Sequence, residues 1–156
     1  AIQGIAARRT SPVEPVILGV GTLRAGTTYK AVAEYARPGL TLKQLNDRAK
    51  QILGEGLAEL GLIGKPQEVG KYYMHSVSHS IGIDCHDADF AGDVLKPGWI
   101  ISDEPGLYID EERIGIRIED DVLITSDGCR FLGEKRIPYH PQELERFMLS
   151  DERTKF

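Results

Sequence analysis

Between Ile114 and Glu119 the chain alternates strictly, with Ile114, Ile116 and Ile118 on one side and Gly115, Arg117 and Glu119 on the other. A period of two is the geometry of a β-strand, whose successive side chains point to opposite faces. The run therefore specifies a strand with an apolar face and puts Arg117 beside Glu119 on the other face. A second carboxylate, Glu104, ends the apolar run from Trp99 and precedes Pro105-Gly106, which is expected to turn the chain. A carboxylate held in such a run needs a cation or hydrogen-bond donors, because its desolvation costs several kcal/mol. From Gly82 to Asp121 lie 12 of the 24 acidic residues, opposed only by Lys96, Arg113 and Arg117, a net charge of −9. A divalent metal would supply the missing positive charge.

The histidines point the same way. Of the chain's 4 histidines, His75, His79 and His86 fall within twelve residues. A single histidine is usually an ordinary core or surface residue, and an acidic run is usually a solvated face. Three histidines followed by Glu-Pro-Gly and then Arg-x-Glu are a different matter. Imidazole nitrogens and carboxylates are the donors that a divalent ion takes.

Size and composition narrow the alternatives. A chain of 156 residues can form one domain that buries roughly 70% of its unfolded surface. No apolar run approaches the roughly 20 residues of a membrane span, and no signal segment opens the sequence. The net charge of −5, without a basic cluster, argues against nucleic acid as a partner. Cys85 and Cys129 have no metal-binding or disulfide spacing, so reduced thiols and a cytoplasmic location are expected. Cys85 is read as a small buried residue, because on a strand it would face away from neighbouring His86.

Residues 1–21, with Arg8-Arg9-Thr10-Ser11-Pro12 and Pro15, read as an irregular segment preceding a unit over 22–156. A first helix is expected from Thr22 to Ala36. A second follows Thr41, which with Gln44 forms a capping box ahead of Leu42, Leu45, Ala49, Ile52, Leu53 and Leu60, with Gly61 to end it. β-structure is expected from Tyr72 onward. It includes a hairpin at Ser126-Asp127-Gly128 and is followed by a terminal helix over Pro141–Leu149. Two helices packed on an antiparallel sheet make an α+β domain.

These motifs resemble the catalytic domain of the aminopeptidase P and prolidase group, metallopeptidases with the pita-bread fold. The resemblance runs from about Gly39 to the C-terminal helix. It rests on His75-x-x-Ser78-His79-x-x-Gly82-x-Asp84-x-His86-Asp87, Leu95-Lys96-Pro97-Gly98, Glu104-Pro105-Gly106-Leu107-Tyr108 and Gly115-x-Arg117-Ile118-Glu119-Asp120-Asp121. Ser76, where the group often has glycine, is a small departure. The resemblance implies metal ligation by His79, Glu104 and Glu119, with Glu104 also taking a proton from the attacking water. It implies oxyanion stabilisation by His86, and substrate contacts from His75, His86 and Arg117. It further implies two divalent ions, manganese first and zinc, cobalt or iron as alternatives, and a peptide substrate with proline at its second position. Either a monomer or a homodimer is compatible with it.

One departure is larger. The group's dinuclear site also uses two aspartates on strands upstream of the helices, yet the first aspartate here is Asp47, and residues 1–46 hold only Glu14 and Glu34 as acids. Three of five expected ligands are present. The chain is accordingly expected to be the C-terminal part of such a catalytic domain, inactive alone, with a partial or empty metal site. Two alternatives are a catalytically dead pita-bread module that binds peptides or protein partners, and a mononuclear hydrolase using His79, Glu104 and Glu119.

Overall fold

The computed structural model describes residues 5–9, 15–88, 93–133 and 141–149. Strand β1 spans Ile5–Arg9, helix α1 Pro15–Tyr35 and helix α2 Leu42–Glu59. After a 3-10 turn over Pro66–Lys71 come β2 (Ile100–Asp103), β3 (Gly106–Ile109), β4 (Ile114–Ile118), β5 (Asp120–Ile124) and β6 (Cys129–Phe131). Helix α3 covers Pro141–Leu149. The strands form two three-stranded antiparallel sheets, ordered β1-β4-β3 and β2-β5-β6.

Helix α2 forms as its sequence dictates. The Thr41 hydroxyl accepts from Gln44 N–H, and the Gln44 side chain accepts from Thr41 N–H at 2.9 Å. Leu45, Ala49, Leu53 and Leu57 line its buried face. Gly61, at φ +70°, ends it. Leu60 falls at that end and is exposed rather than part of the core stripe. Gly54 permits close packing, because a Cβ there would lie 2.4 Å from the Pro66 carbonyl oxygen. Gly54→Ala is therefore expected to lower stability, although alanine is favoured by about 1 kcal/mol in an open helix. A urea melt showing stabilisation would contradict this packing.

The opening segment departs from expectation. Where an irregular stretch was expected over 1–21, Ile5–Arg9 is a strand paired with β4, and α1 begins at Pro15 rather than Thr22. Neither element advertises itself locally. β1 is formed by its backbone ladder to β4, and α1 packs Ala25, Tyr29 and Val32 into the core despite its glycines.

Glu104-Pro105 also behaves differently from a turn. Asp103 pairs with Asp120 in one sheet and Gly106 with Arg117 in the other, so one register runs through both pairs. The Pro105 carbonyl still accepts from Ile118 N–H at 3.2 Å. The β2–β3 and β4–β5 strands are thus one ribbon bent where it passes between sheets. Glu104 and Glu119 face each other across that bend.

A candidate metal centre at the bend

Two like charges directly opposite on paired strands repel, so their surroundings must compensate. Part of the compensation is Arg117, whose guanidinium lies 3.4 Å from Glu104 Oε2 and 3.1 Å from Glu119 Oε2. The strand alternation that places Arg117 and Glu119 on one face is thus observed. The rest comes from His79. Residues 77–81 run alongside β2, where Val77 and His79 carbonyls accept from Glu104 and Ser102 N–H, and Ile81 N–H donates to the Ile100 carbonyl. This docking carries His79 Nε2 to 3.3 Å from Glu104 Oε1. Donor atoms of His79, Glu104 and Glu119 all lie within 4.8 Å of one another.

The tautomer of His79 decides what that approach means. Its Nδ1 is 3.1 Å from the Ser80 carbonyl, which can only accept, so Nδ1 carries the proton. In the neutral ring Nε2 is then a lone pair aimed at a carboxylate oxygen. Two acceptors so close require a shared proton or a cation between them. A histidine that donates its other nitrogen to a backbone carbonyl is also the usual arrangement of a metal ligand. Glu104 is oriented by Ser102, whose buried hydroxyl accepts from His79 N–H at 3.0 Å and donates to Glu104 Oε1 at 3.1 Å. Burial, reinforced by the Glu104 charge, raises the Glu119 pKa against the pull of Arg117. The donor set fits one divalent ion.

Two expected substrate residues flank this group. The His86 ring stacks on His79 with centroids 3.9 Å apart. His75 sits one link away, its Nδ1 on the Ser76 carbonyl and its Nε2 accepting from the Tyr108 hydroxyl at 2.9 Å. The Arg117 guanidinium in turn lies near enough to Tyr108 to pull on its phenol. Burial holds the Tyr108 phenol above its ordinary range, keeping it a donor. Gly106 and Gly115 leave room for its ring, since a Cβ at Gly106 would lie 2.7 Å from the Tyr108 hydroxyl.

Sequence reasoning missed Ser102, Tyr108 and Asn46. Asn46 on α2 accepts from Val77 N–H and the Tyr73 hydroxyl, anchoring the histidine-bearing segment. Cys85 needs correction. It is exposed, on a bend rather than a strand, so the facing rule used to bury it does not apply. The expected aspartates are also illuminated. A strand upstream of the helices is present as β1, but its residues are Ile, Ala, Ala, Arg and Arg, with Ala6 opposite Arg117.

Residues 25–126 match the metallopeptidase family M24. The chain belongs to this family. It is 34% identical over 134 residues to Xaa-Pro aminopeptidase 1 of Streptomyces coelicolor, an alignment covering 72% of this chain and 27% of that protein. It is 36% identical over 107 residues to the Xaa-Pro dipeptidase of Pyrococcus furiosus, covering 66% and 27%. A Bacillus anthracis structure assigned as an aminopeptidase P superposes with a TM-score of 0.79 at 40% identity, covering 90% of this chain and 32% of that one. Zinc-substituted Escherichia coli aminopeptidase P, solved in complex with product, gives 0.76 at 27% identity, covering 90% and 35%. The fold is therefore the M24 pita-bread fold in part, and the chain spans about a quarter to a third of the length of these relatives. No helix among the described residues is long and apolar enough to cross a membrane.

Proposed function

We propose that this chain carries the metal-binding and proton-transfer part of an Xaa-Pro peptidase, acting on the peptide bond before a proline at position two. The observation that carries the proposal is the approach of His79 Nε2 to within 3.3 Å of Glu104 Oε1, with Glu119 within reach. His79, Glu104 and Glu119 would hold the ion, which when bound polarises the scissile carbonyl and lowers the pKa of water. Two carboxylates, one imidazole and no thiolate in this set favour manganese, with zinc, cobalt or iron as alternatives.

The remaining work falls to the chain's own side chains. Glu104, fixed by Ser102, accepts the proton of the attacking water. His86, exposed above His79, is free to turn toward the scissile carbonyl and donate to its developing negative charge. Arg117 holds both carboxylates in register, and through Tyr108 it is coupled to His75, which contacts the peptide backbone.

The donor set matches one ion better than the pair implied by the family resemblance, because β1 offers no carboxylate beside β4. Calorimetric titration with Mn²⁺ is expected to give one weakly bound ion per chain, with binding lost in both Glu104→Gln and Glu119→Gln. Two tightly bound ions, or binding indifferent to both substitutions, would refute this reading.

A further inference from the structure

A second donor set overlaps the first. Donor atoms of His79, Cys85 and His86 also lie within 4.8 Å of one another. The arrangement follows from how the loop after His79 closes. Ile81 N–H is tied to the Ile100 carbonyl, and Asp87 N–H returns to the Ser80 carbonyl at 3.0 Å. Gly82 lies against the Asp87 carboxylate with no space for a Cβ, which makes the loop tight. The return folds Cys85 and His86 back over His79, stacking the two imidazoles.

We propose that His79, Cys85 and His86 form a separate site for a thiophilic ion such as zinc, exclusive of the carboxylate site because both need His79. Thiolate with two imidazoles is a soft, nitrogen-rich set that suits zinc or cobalt and disfavours manganese. A tetrahedral zinc with bonds of about 2.0–2.3 Å spaces its ligands about 3.4–3.7 Å apart. Closing from the present separations needs a shift of roughly an ångström. The stacked ring planes differ by only 17°, so one ring must swing for both to aim at a common ion. His86 and Cys85 are both exposed, so neither movement disturbs the core. Cys85 binds as the thiolate and gives its proton to solvent. The site does not rest on Glu104 or Glu119 being ligands.

Cobalt(II) reports this directly, since thiolate ligation adds a sulfur-to-metal charge-transfer absorption that carboxylate and imidazole ligation lack. Titrating the chain with Co²⁺ is expected to raise that band to one equivalent. Cys85→Ser should abolish it, His86→Ala should weaken Co²⁺ binding at least about tenfold, and Glu119→Gln should leave the band intact. Excess Mn²⁺ should reduce the band if the sites share His79. No band in the unsubstituted chain, or a band that survives Cys85→Ser, would overturn the proposal. Loss of Mn²⁺ binding in Glu119→Gln with the band retained separates this site from the carboxylate one.

Discussion

The chain with Mn²⁺ is expected to show no measurable hydrolysis of an Xaa-Pro peptide. Its three proposed ligands would hold one ion, whereas the resemblance implies two ions sharing the water, and water activation is the main lever of this chemistry near neutral pH. The strand beside β4 carries Ala6 and Ala7 and no acid, so charge compensation for a second cation is lacking there. Supplying a segment that carries two aspartates should restore turnover. In that restored protein Glu104→Ala should lower kcat by about 10²–10⁴, the usual worth of a positioned general base. Robust turnover by the unsupplemented chain, lost in its own Glu104→Ala variant, would show that a three-ligand site suffices. A peptide that binds without being cut under either condition would favour the non-catalytic module.

Asp103→Asn is expected to stabilise the fold at neutral pH. Asp103 is buried opposite Asp120, and among the described residues neither of its carboxylate oxygens has a hydrogen-bond partner. Burial, with the charges of Asp120 and Glu104 adding to it, pushes its pKa well above the ordinary carboxylate range. A folded-state pKa raised above the unfolded value means that the folded chain holds the proton more tightly. Stability is then greatest in acid and falls as pH rises above the unfolded value, about 3.9, until the folded pKa is passed. Each unit of upward shift costs about 1.4 kcal/mol at neutral pH. The asparagine variant should recover this cost at pH 7 and nothing at pH 3. Urea melts across this range check the sign, and a variant less stable at pH 7 than at pH 3 relative to the parent would contradict it.

What the sequence reveals and what it hides divide along physical lines. Helix α2 and strand β4 are legible because each carries its signal locally, a reciprocal cap at Thr41 and Gln44 and a period-two run from Ile114. β1 is not, since Ile-Ala-Ala-Arg-Arg becomes a strand only by pairing with β4. The N-terminal turns of α1 are obscured by Gly19 and Gly21, whose helix propensity is low.

The site divides in the same way. Arg117, Glu119 and Glu104 stand out because charge in an apolar run demands a partner, and His79 because three histidines fall within twelve residues. Their supports do not stand out. Ser102 joins His79 to Glu104, Tyr108 holds His75, and Asn46 reaches Val77 across 31 positions, through single hydrogen bonds with no sequence signature. Cys85 was misplaced because the chain leaves β2 after Ile81, where strand alternation stops.

The most direct test is a crystal structure of the chain grown with Mn²⁺, with anomalous scattering used to place the ion. The expected result is one manganese peak about 2.0–2.2 Å from His79 Nε2 and from carboxylate oxygens of Glu104 and Glu119. Arg117 should still brace Glu119, while His79 Nδ1 still donates to the Ser80 carbonyl. A peak elsewhere, or no peak with a proton alone between His79 and Glu104, would contradict the account.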